Sequence, residues 1–169
     1  MTPRSFTTSL MEAMSGLDLR EPSKHIVVAQ GAHESGWGTG RASRFGFNHW
    51  NLTRIPSDTR PVIQGGDLEY DGKGGVKKIT QRFRAYASDI EAVRDYLTFL
   101  RVNPRYHAAH EALLLGWCSE FIRRLHDDDP TTAHIEGGFF TANLAGYQAG
   151  VAGCLATVRK LLAPAPGVA

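Results

Sequence analysis

The sequence has few of the features that mark disulfide-stabilised scaffolds or zinc-binding modules. It contains only two cysteines, Cys118 and Cys154, in 169 residues. Two cysteines are too few for a disulfide framework, and their separation does not match the paired spacing of a zinc site. Because each cysteine lies in a helical pattern, both are predicted to be buried thiols.

Long apolar runs and a strong charge of one sign are also missing. No segment approaches the ~20 consecutive apolar residues of a membrane helix, and charged residues interrupt any signal-peptide core near the start. We therefore expect no membrane insertion, and we expect a secretion route other than the general secretory one. Nineteen Lys and Arg residues against seventeen Asp and Glu give a net charge of +2, which is too small to predict a nucleic-acid partner.

Metal ligands in a recognised order are absent as well. The His107, His110 and Glu111 group does not follow the order of residues in a zinc-binding helix. The acidic run from Asp127 to Asp129 lacks the alternation and the glycine of a calcium loop. We predict no metal and no other cofactor.

Apolar residues at helical spacing cover most of the chain, which is long enough to form one domain. We predict a single domain over 1–162 and a flexible tail over 163–169, where prolines prevent further helix. The predicted helices run through Phe6, Leu10 and Met14, from about Pro22 to Ser35, from Ser88 to Asn103, from Tyr106 to Leu115, from Cys118 to His126, and from a Thr141 N-cap to Leu162.

A small β lobe interrupts the helical pattern. The stretch from Val76 to Tyr86 alternates apolar and polar residues, as a half-buried strand does. Leu68 to Tyr70, followed by a glycine-rich turn, predicts the other arm of an antiparallel hairpin. The expected fold class is mainly α, with α+β character from this hairpin.

Glu34 is the first candidate for chemistry. It lies in the predicted last turn of the second helix, before Gly36 and beside the apolar Trp37. The negative end of the helix dipole and an apolar neighbour both raise the pKa of a carboxyl group, which suits an acid catalyst. Hydrolysis of a glycosidic bond usually needs such an acid and a second group for the developing positive charge.

Four segments in this order resemble the family 73 glycoside hydrolases, the endo-β-N-acetylglucosaminidases of the autolysin and flagellar-rod type. They are Ala29-Gln30-Gly31-Ala32-His33-Glu34-Ser35-Gly36-Trp37-Gly38, Asn48-His49-Trp50-Asn51-Leu52, Arg82-Phe83-Arg84-Ala85-Tyr86 and Asn103-Pro104-Arg105-Tyr106. The resemblance implies a lysozyme-like helical domain in which the hairpin lobe flanks the cleft. It also implies that Glu34 is the general acid.

The resemblance further implies a second glutamate in the hairpin. Glu69 is the candidate, and Asp67 and Asp71 are the alternatives. Participation of the acetamido group of the substrate stays open as a substitute for this carboxylate.

Substrate contacts are predicted for aromatic and amide side chains near these segments. The family tends to carry a tyrosine before its last helix where this chain has Phe139 and Phe140, so Tyr147 is the candidate to replace it. Flat aromatic faces suit the CH groups of sugar rings. The full set of predicted substrate-binding residues is Trp37, Asn48, Trp50, Tyr70, Tyr86 and Tyr147.

The resemblance implies hydrolysis of the β-1,4 bond after N-acetylglucosamine in peptidoglycan. A muramidase and a non-catalytic wall-binding module are the alternatives, because the fold does not fix the reaction. The expected site of action is the bacterial periplasm or cell wall, reached by type VI injection or by phage lysis. We expect a monomer and, for an injected toxin, an immunity protein that occludes the cleft.

Overall fold

Helices make up most of the residues that the structure describes, and a hairpin interrupts them. The computed structural model describes residues 1–54, 58–70, 76–126 and 143–164. Side chains are described up to residue 65 in the first strand and from residue 80 in the second strand. The described helices are α1 (Pro3–Ala13), α2 (Glu21–Ser35), α3 (Arg41–Gly46), α4 (Asp89–Val102), α5 (His107–Leu114), α6 (Cys118–Leu125) and α7 (Leu144–Leu162). The strands are β1 (Val62–Tyr70) and β2 (Val76–Arg84), and a 3-10 turn, Pro104–Tyr106, links α4 to α5.

Helix α2 runs through the centre of the domain. Most of its residues are buried, from Ser23 through Ala32 with the exception of the partly exposed His25. A helix that is buried on nearly all sides must be surrounded by other elements, and α1, α3, α5 and α7 all pack against it. The predicted helix boundaries are confirmed, with Gly36 as a left-handed C-cap at φ 57°.

The hairpin pairs Val62 with Arg84 at its base and Tyr70 with Val76 at its tip, in antiparallel register. Strand β1 begins six residues earlier than predicted, because pairing with β2 extends it through Gly65 and Gly66. A side chain at Gly65 would approach the Phe83 ring to 2.9 Å. Glycine at this position therefore makes room for Phe83 across the sheet.

Charged side chains attach the base of the hairpin to α4. Arg60 and Arg84 both contact Asp95 of α4, at 2.5 and 2.7 Å. Arg60 and Arg84 also contact Asp58, which precedes β1, at 2.7 and 3.5 Å. The hydrogen bonds and charge of Arg60 lower the pKa of Asp58 to about 2. This network fixes the hairpin relative to the helical body.

The last helix begins with a different cap from the predicted one. The Asn143 side chain accepts hydrogen bonds from the backbone N–H groups of Ala145 and Gly146, as an N-cap does. The prediction of Thr141 as the cap was therefore wrong, and Thr141 itself lies outside the described residues. The predicted apolar stripe is confirmed for Tyr147 and for the residues Val151, Leu155 and Val158, all buried.

The described residues also bear on the predictions about membrane helices, metal ions and cysteines. No helix there is long and apolar enough to cross a membrane. No group of three or more His, Cys, Asp or Glu side chains in those residues is placed to share a metal ion. Cys118 and Cys154 are free thiols that are only partly buried, and burial raises the pKa of each.

Candidate active site

Glu34 occupies the last turn of α2, where the sequence predicted it. The helix ends in a turn that the Ser35 side chain stabilises: its hydroxyl donates to the Gly31 carbonyl at 2.6 Å and accepts from the Gly38 N–H at 2.8 Å. Gly36, Trp37 and Gly38 all have positive φ values of 57°, 59° and 79°. Gly36 and Gly38 adopt positive φ without the steric clash that a Cβ atom would cause, so they allow this left-handed turn. Glu34 lies partly exposed at the edge of the turn.

Trp37 is the residue of this turn other than glycine that has a positive φ, so its backbone is strained. A positive φ is unusual for an aromatic residue and is often found where a site requires a fixed geometry. Its ring packs edge-on against Phe6 of α1, with centroids 6.0 Å apart. Trp37 is partly exposed, so one of the predicted sugar contacts retains access to solvent beside Glu34.

Two side chains from distant elements donate hydrogen bonds to Glu34. The Tyr147 hydroxyl of α7 donates to Oε1 of Glu34. The Asn51 amide donates to the Glu34 backbone carbonyl at 3.0 Å and lies 3.4 Å from Oε2. Each carboxyl oxygen therefore has a donor, and the carboxyl group is held in one orientation.

The Tyr147 hydroxyl donates a hydrogen bond to Glu34 and does not itself ionise. Burial and the nearby Glu34 charge both raise the pKa of Tyr147 well above its usual value. The hydroxyl therefore keeps its proton at neutral pH. Tyr147 was predicted to contact substrate in place of the missing family tyrosine. The structure instead buries it, at 7% exposed, and directs its hydroxyl to Glu34.

Asn51 is the site residue that the sequence reasoning missed. Asn48 of the same segment was predicted to bind substrate, but it is fully buried. Its amide donates to the backbone carbonyls of Leu52 and Arg84 at 2.8 and 2.9 Å, so its role is to fix the loop. Asn51 has a left-handed backbone, at φ 54°, which asparagine tolerates better than most residues. No local pattern in the sequence distinguishes these two asparagines.

Two predicted sugar-stacking residues lie in the core instead. Trp50 is 1% exposed and stacks on Tyr96 with ring centroids 4.5 Å apart. Gly31 permits this, since a side chain there would approach the indole to 3.3 Å. Tyr86 is 6% exposed, and its hydroxyl donates to Asp95 at 2.7 Å. A buried ring cannot cover a sugar, so these two predictions were wrong.

The hairpin residues can be located only by their backbone. Asp67 pairs with Ile79, Glu69 with Lys77 and Tyr70 with Val76. Their side chains, and the whole of Asp71, lie outside the described part of the structure. The second carboxylate and the Tyr70 contact therefore stay predictions.

A buried Ser-His-Asp arrangement lies elsewhere in the protein. His49 bonds to Ser43 at 2.5 Å through Nδ1 and to Asp89 at 2.7 Å through Nε2. Ser9 of α1 also donates to Asp89. Ser43 is 5% exposed and His49 is 2% exposed, so no substrate can reach the hydroxyl. These contacts join α1, α3 and α4 and are structural.

Known proteins share both the sequence pattern and the fold. The peptidoglycan hydrolase FlgJ of Salmonella typhimurium is 37% identical over 92 residues, which cover 52% of this chain and 29% of FlgJ. FlgJ of Vibrio parahaemolyticus is 32% identical over 143 residues, or 78% of this chain and 44% of FlgJ. The chain thus spans less than half the length of these relatives.

Solved structures confirm the predicted fold class. A peptidoglycan hydrolase mutant from Sphingomonas sp. A1 is 25% identical, with a TM-score of 0.70 over 94% of this chain and 97% of that one. A C-terminally truncated glycoside hydrolase domain of Salmonella typhimurium FlgJ is 22% identical, with a TM-score of 0.61 over 94% and 99%. The family of mannosyl-glycoprotein endo-beta-N-acetylglucosaminidases, Glucosaminidase, matches residues 11–130. With most of its length in that match, Glu34 included, the chain belongs to the Glucosaminidase family of glycoside hydrolases, as the sequence resemblance predicted.

Proposed function

We propose that this protein hydrolyses the β-1,4 bond after N-acetylglucosamine in the glycan strands of peptidoglycan. The observation that carries the proposal is the Glu34 carboxyl group, partly exposed at the end of α2 and held by donors from Tyr147 and Asn51. Membership of the Glucosaminidase family supports the bond type, and the relatives named peptidoglycan hydrolases support the polymer.

In this reaction Glu34 gives its proton to the glycosidic oxygen as the bond to the anomeric carbon breaks. The leaving sugar departs as a neutral alcohol, and positive charge develops on the other ring. Water finally adds to the anomeric carbon and returns a proton to Glu34. Tyr147 and Asn51 hold the carboxyl group in register with the bond during these steps.

The developing charge needs a second group. Glu69 of β1 is our candidate, and the acetamido group of the substrate is the alternative. Glu69→Gln should lower kcat severely if the carboxylate acts directly and only slightly if the acetamido group does so. If Asp67→Asn or Asp71→Asn is the more damaging change, the carboxylate is at that position instead.

Glu34→Gln tests the function directly. The change keeps the shape of the side chain and removes the transferable proton, so kcat should fall by ~10²–10⁴-fold without loss of folding. Glu111→Gln is the matched control, because Glu111 is an exposed carboxylate on α5. A folded Glu34→Gln variant that keeps more than a tenth of the wild-type turnover would disprove the assignment.

The products decide between the remaining functions. Mass spectrometry of borohydride-reduced fragments from purified cell walls identifies the sugar at the new reducing end. Reduced N-acetylglucosamine is expected, whereas reduced N-acetylmuramic acid would mean a muramidase. Binding to walls without any fragments would mean a non-catalytic module.

A cleft-blocking immunity protein is the finer prediction for the biological setting. A concave catalytic cleft is a surface that an inserted loop of another protein can fill. Expression of the enzyme in the periplasm of a sensitive cell, with and without its neighbouring gene, tests this. Rescue and a stable complex support an injected toxin, and a holin-like neighbour without rescue supports a phage lysin.

A further inference from the structure

Gln30 is a polar side chain in the most buried part of α2. It is 0% exposed, and the residues around it in the helix, from Ile26 to Ala32, are mostly apolar and also buried. A buried amide destabilises the folded protein unless hydrogen bonds satisfy it. The hydrogen bonds of Gln30 must therefore offset the unfavourable free energy of burying its amide. Through Tyr147, those hydrogen bonds connect Gln30 to the carboxyl group of Glu34.

The Gln30 amide bonds to a tyrosine at each end. Its Nε2 group donates to the Tyr147 hydroxyl over a long 3.4 Å. Its Oε1 atom accepts a hydrogen bond from the Tyr96 hydroxyl. Tyr96 is itself 0% exposed and stacked on the Trp50 ring, with 3° between the planes. The acceptor end of the amide is thus engaged by a fixed tyrosine, which leaves the N–H end for Tyr147.

Gln30 and Glu34 lie one helical turn apart, so they share a face of α2. The Tyr147 hydroxyl bridges them, because it accepts from Gln30 and donates to Glu34. A phenol has a single proton. When the amide N–H points at the phenol oxygen, that proton is directed away from the amide and toward the carboxyl group.

Both tyrosines stay protonated, so the chain of donors keeps its direction. Burial and the Glu34 charge raise the pKa of Tyr96 and of Tyr147 well above the usual value. Each group therefore donates a hydrogen bond to the next: Tyr96 donates to Gln30, Gln30 to Tyr147, and Tyr147 to Glu34.

We propose that Gln30 is a positioning residue for the Glu34 reaction, whose amide directs the Tyr147 hydroxyl proton onto the carboxyl group. Gln30 does not touch the substrate, and it acts only through Tyr147. The proposal rests on the proposed function, and it adds a residue of the helix core to the groups that control the acid.

A double-mutant cycle tests this, with kcat and KM measured on soluble, uncrosslinked peptidoglycan strands. Gln30→Met keeps the length of the side chain and removes both hydrogen bonds. Loss of one directing hydrogen bond should lower kcat roughly tenfold and leave KM within about twofold. In a Tyr147→Phe background the same change should alter kcat less than about twofold, since Gln30 then has no hydroxyl to direct.

The pH profile of kcat gives a second reading that a packing defect would not produce. A carboxylate that receives a weaker hydrogen bond keeps its proton to higher pH. The alkaline limb of the profile should therefore move to higher pH in Gln30→Met, in the same direction as in Tyr147→Phe. Gln148→Met is the matched control: it removes a glutamine bond from α7 to the Ser119 carbonyl at 3.2 Å and should leave kcat and the profile unchanged.

Tyr96→Phe repeats the test if Gln30→Met does not fold, because it removes the donor to Oε1 and leaves the amide in place. It should lower kcat with Tyr147 present and have no effect in Tyr147→Phe. Equal losses in both backgrounds, or no loss in either, would overturn the proposal. Those outcomes differ from failure of the proposed function, in which Glu34→Gln itself keeps its activity.

Discussion

Gly150 on α7 controls how closely that helix approaches α2. A side chain at Gly150 would overlap the His33 ring of α2, in contact with its Cε1 atom. His33 in turn packs edge-on against the Tyr147 ring, with centroids 4.7 Å apart. Gly150→Ala should therefore push His33 toward Tyr147 and displace the hydroxyl from Glu34.

Gly153 of the same helix supplies the matched control, because a side chain there would meet nothing within 4 Å. Replacing a helix-interior glycine by alanine stabilises by ~0.5–1 kcal/mol. Gly153→Ala should show this gain alone. Gly150→Ala has the same gain, but overpacking against His33 costs ~1–3 kcal/mol. The two variants should thus differ by ~1–3 kcal/mol in the free energy of unfolding, or roughly 2–12 °C in Tm for a domain of this size.

The activities should separate the two variants more sharply than their stabilities. A displacement of ~1 Å at a catalytic group can cost ~10²-fold, so kcat of Gly150→Ala should fall by ~10–100-fold while Gly153→Ala stays near wild type. Thermal unfolding and initial rates on soluble glycan strands measure both effects. Equal Tm values together with equal kcat values would refute the idea that Gly150 sets the approach of α7.

Three further predictions follow from contacts outside the reacting atoms. The lowered pKa of Asp58, about 2 against ~3.9 in an unfolded chain, means that the network with Arg60 and Arg84 stabilises the fold above about pH 4 and loses that contribution as the pH falls toward 2. Asp58→Asn should remove this part of the acid dependence of unfolding, and an unchanged acid limb would contradict the role of the network. Trp50→Ala should cost ~3–5 kcal/mol of stability as a core truncation, and a folded variant with a raised KM and unchanged Tm would restore Trp50 as a sugar contact. Prolonged dialysis against EDTA should leave activity intact, whereas loss that zinc restores would reveal a metal site.

Local signals in the sequence were enough to predict most elements. The capping residue Ser88, the spacing of apolar residues and the glycine after Ser35 each act within a few residues, and the corresponding helix ends were found where expected. The start of β1 was misplaced because pairing with β2, rather than its own pattern, extends it through two glycines. The short helix α3 has too few residues to show a periodicity.

Burial of aromatic residues could not be predicted from sequence in the same way. Trp50 and Asn51 are neighbours in the chain, yet one is in the core and the other contacts Glu34. The left-handed backbone at Asn51 turns the two side chains to different environments. Tyr86 was predicted to face sugar, but the partners that bury it come from α4 and from the segment before β1.

The sequence by itself determined the family, the helical class of the fold and the position of Glu34, our candidate for the acid, because those depend on short segments and local spacing. Only the tertiary structure decided what surrounds the Glu34 carboxyl group. Tyr147 lies 113 residues from Glu34 in the chain, and it reaches the carboxyl group because Gly150 lets α7 pack closely on α2. Contacts between distant segments depend on how whole helices pack, and no local pattern in the sequence encodes that geometry.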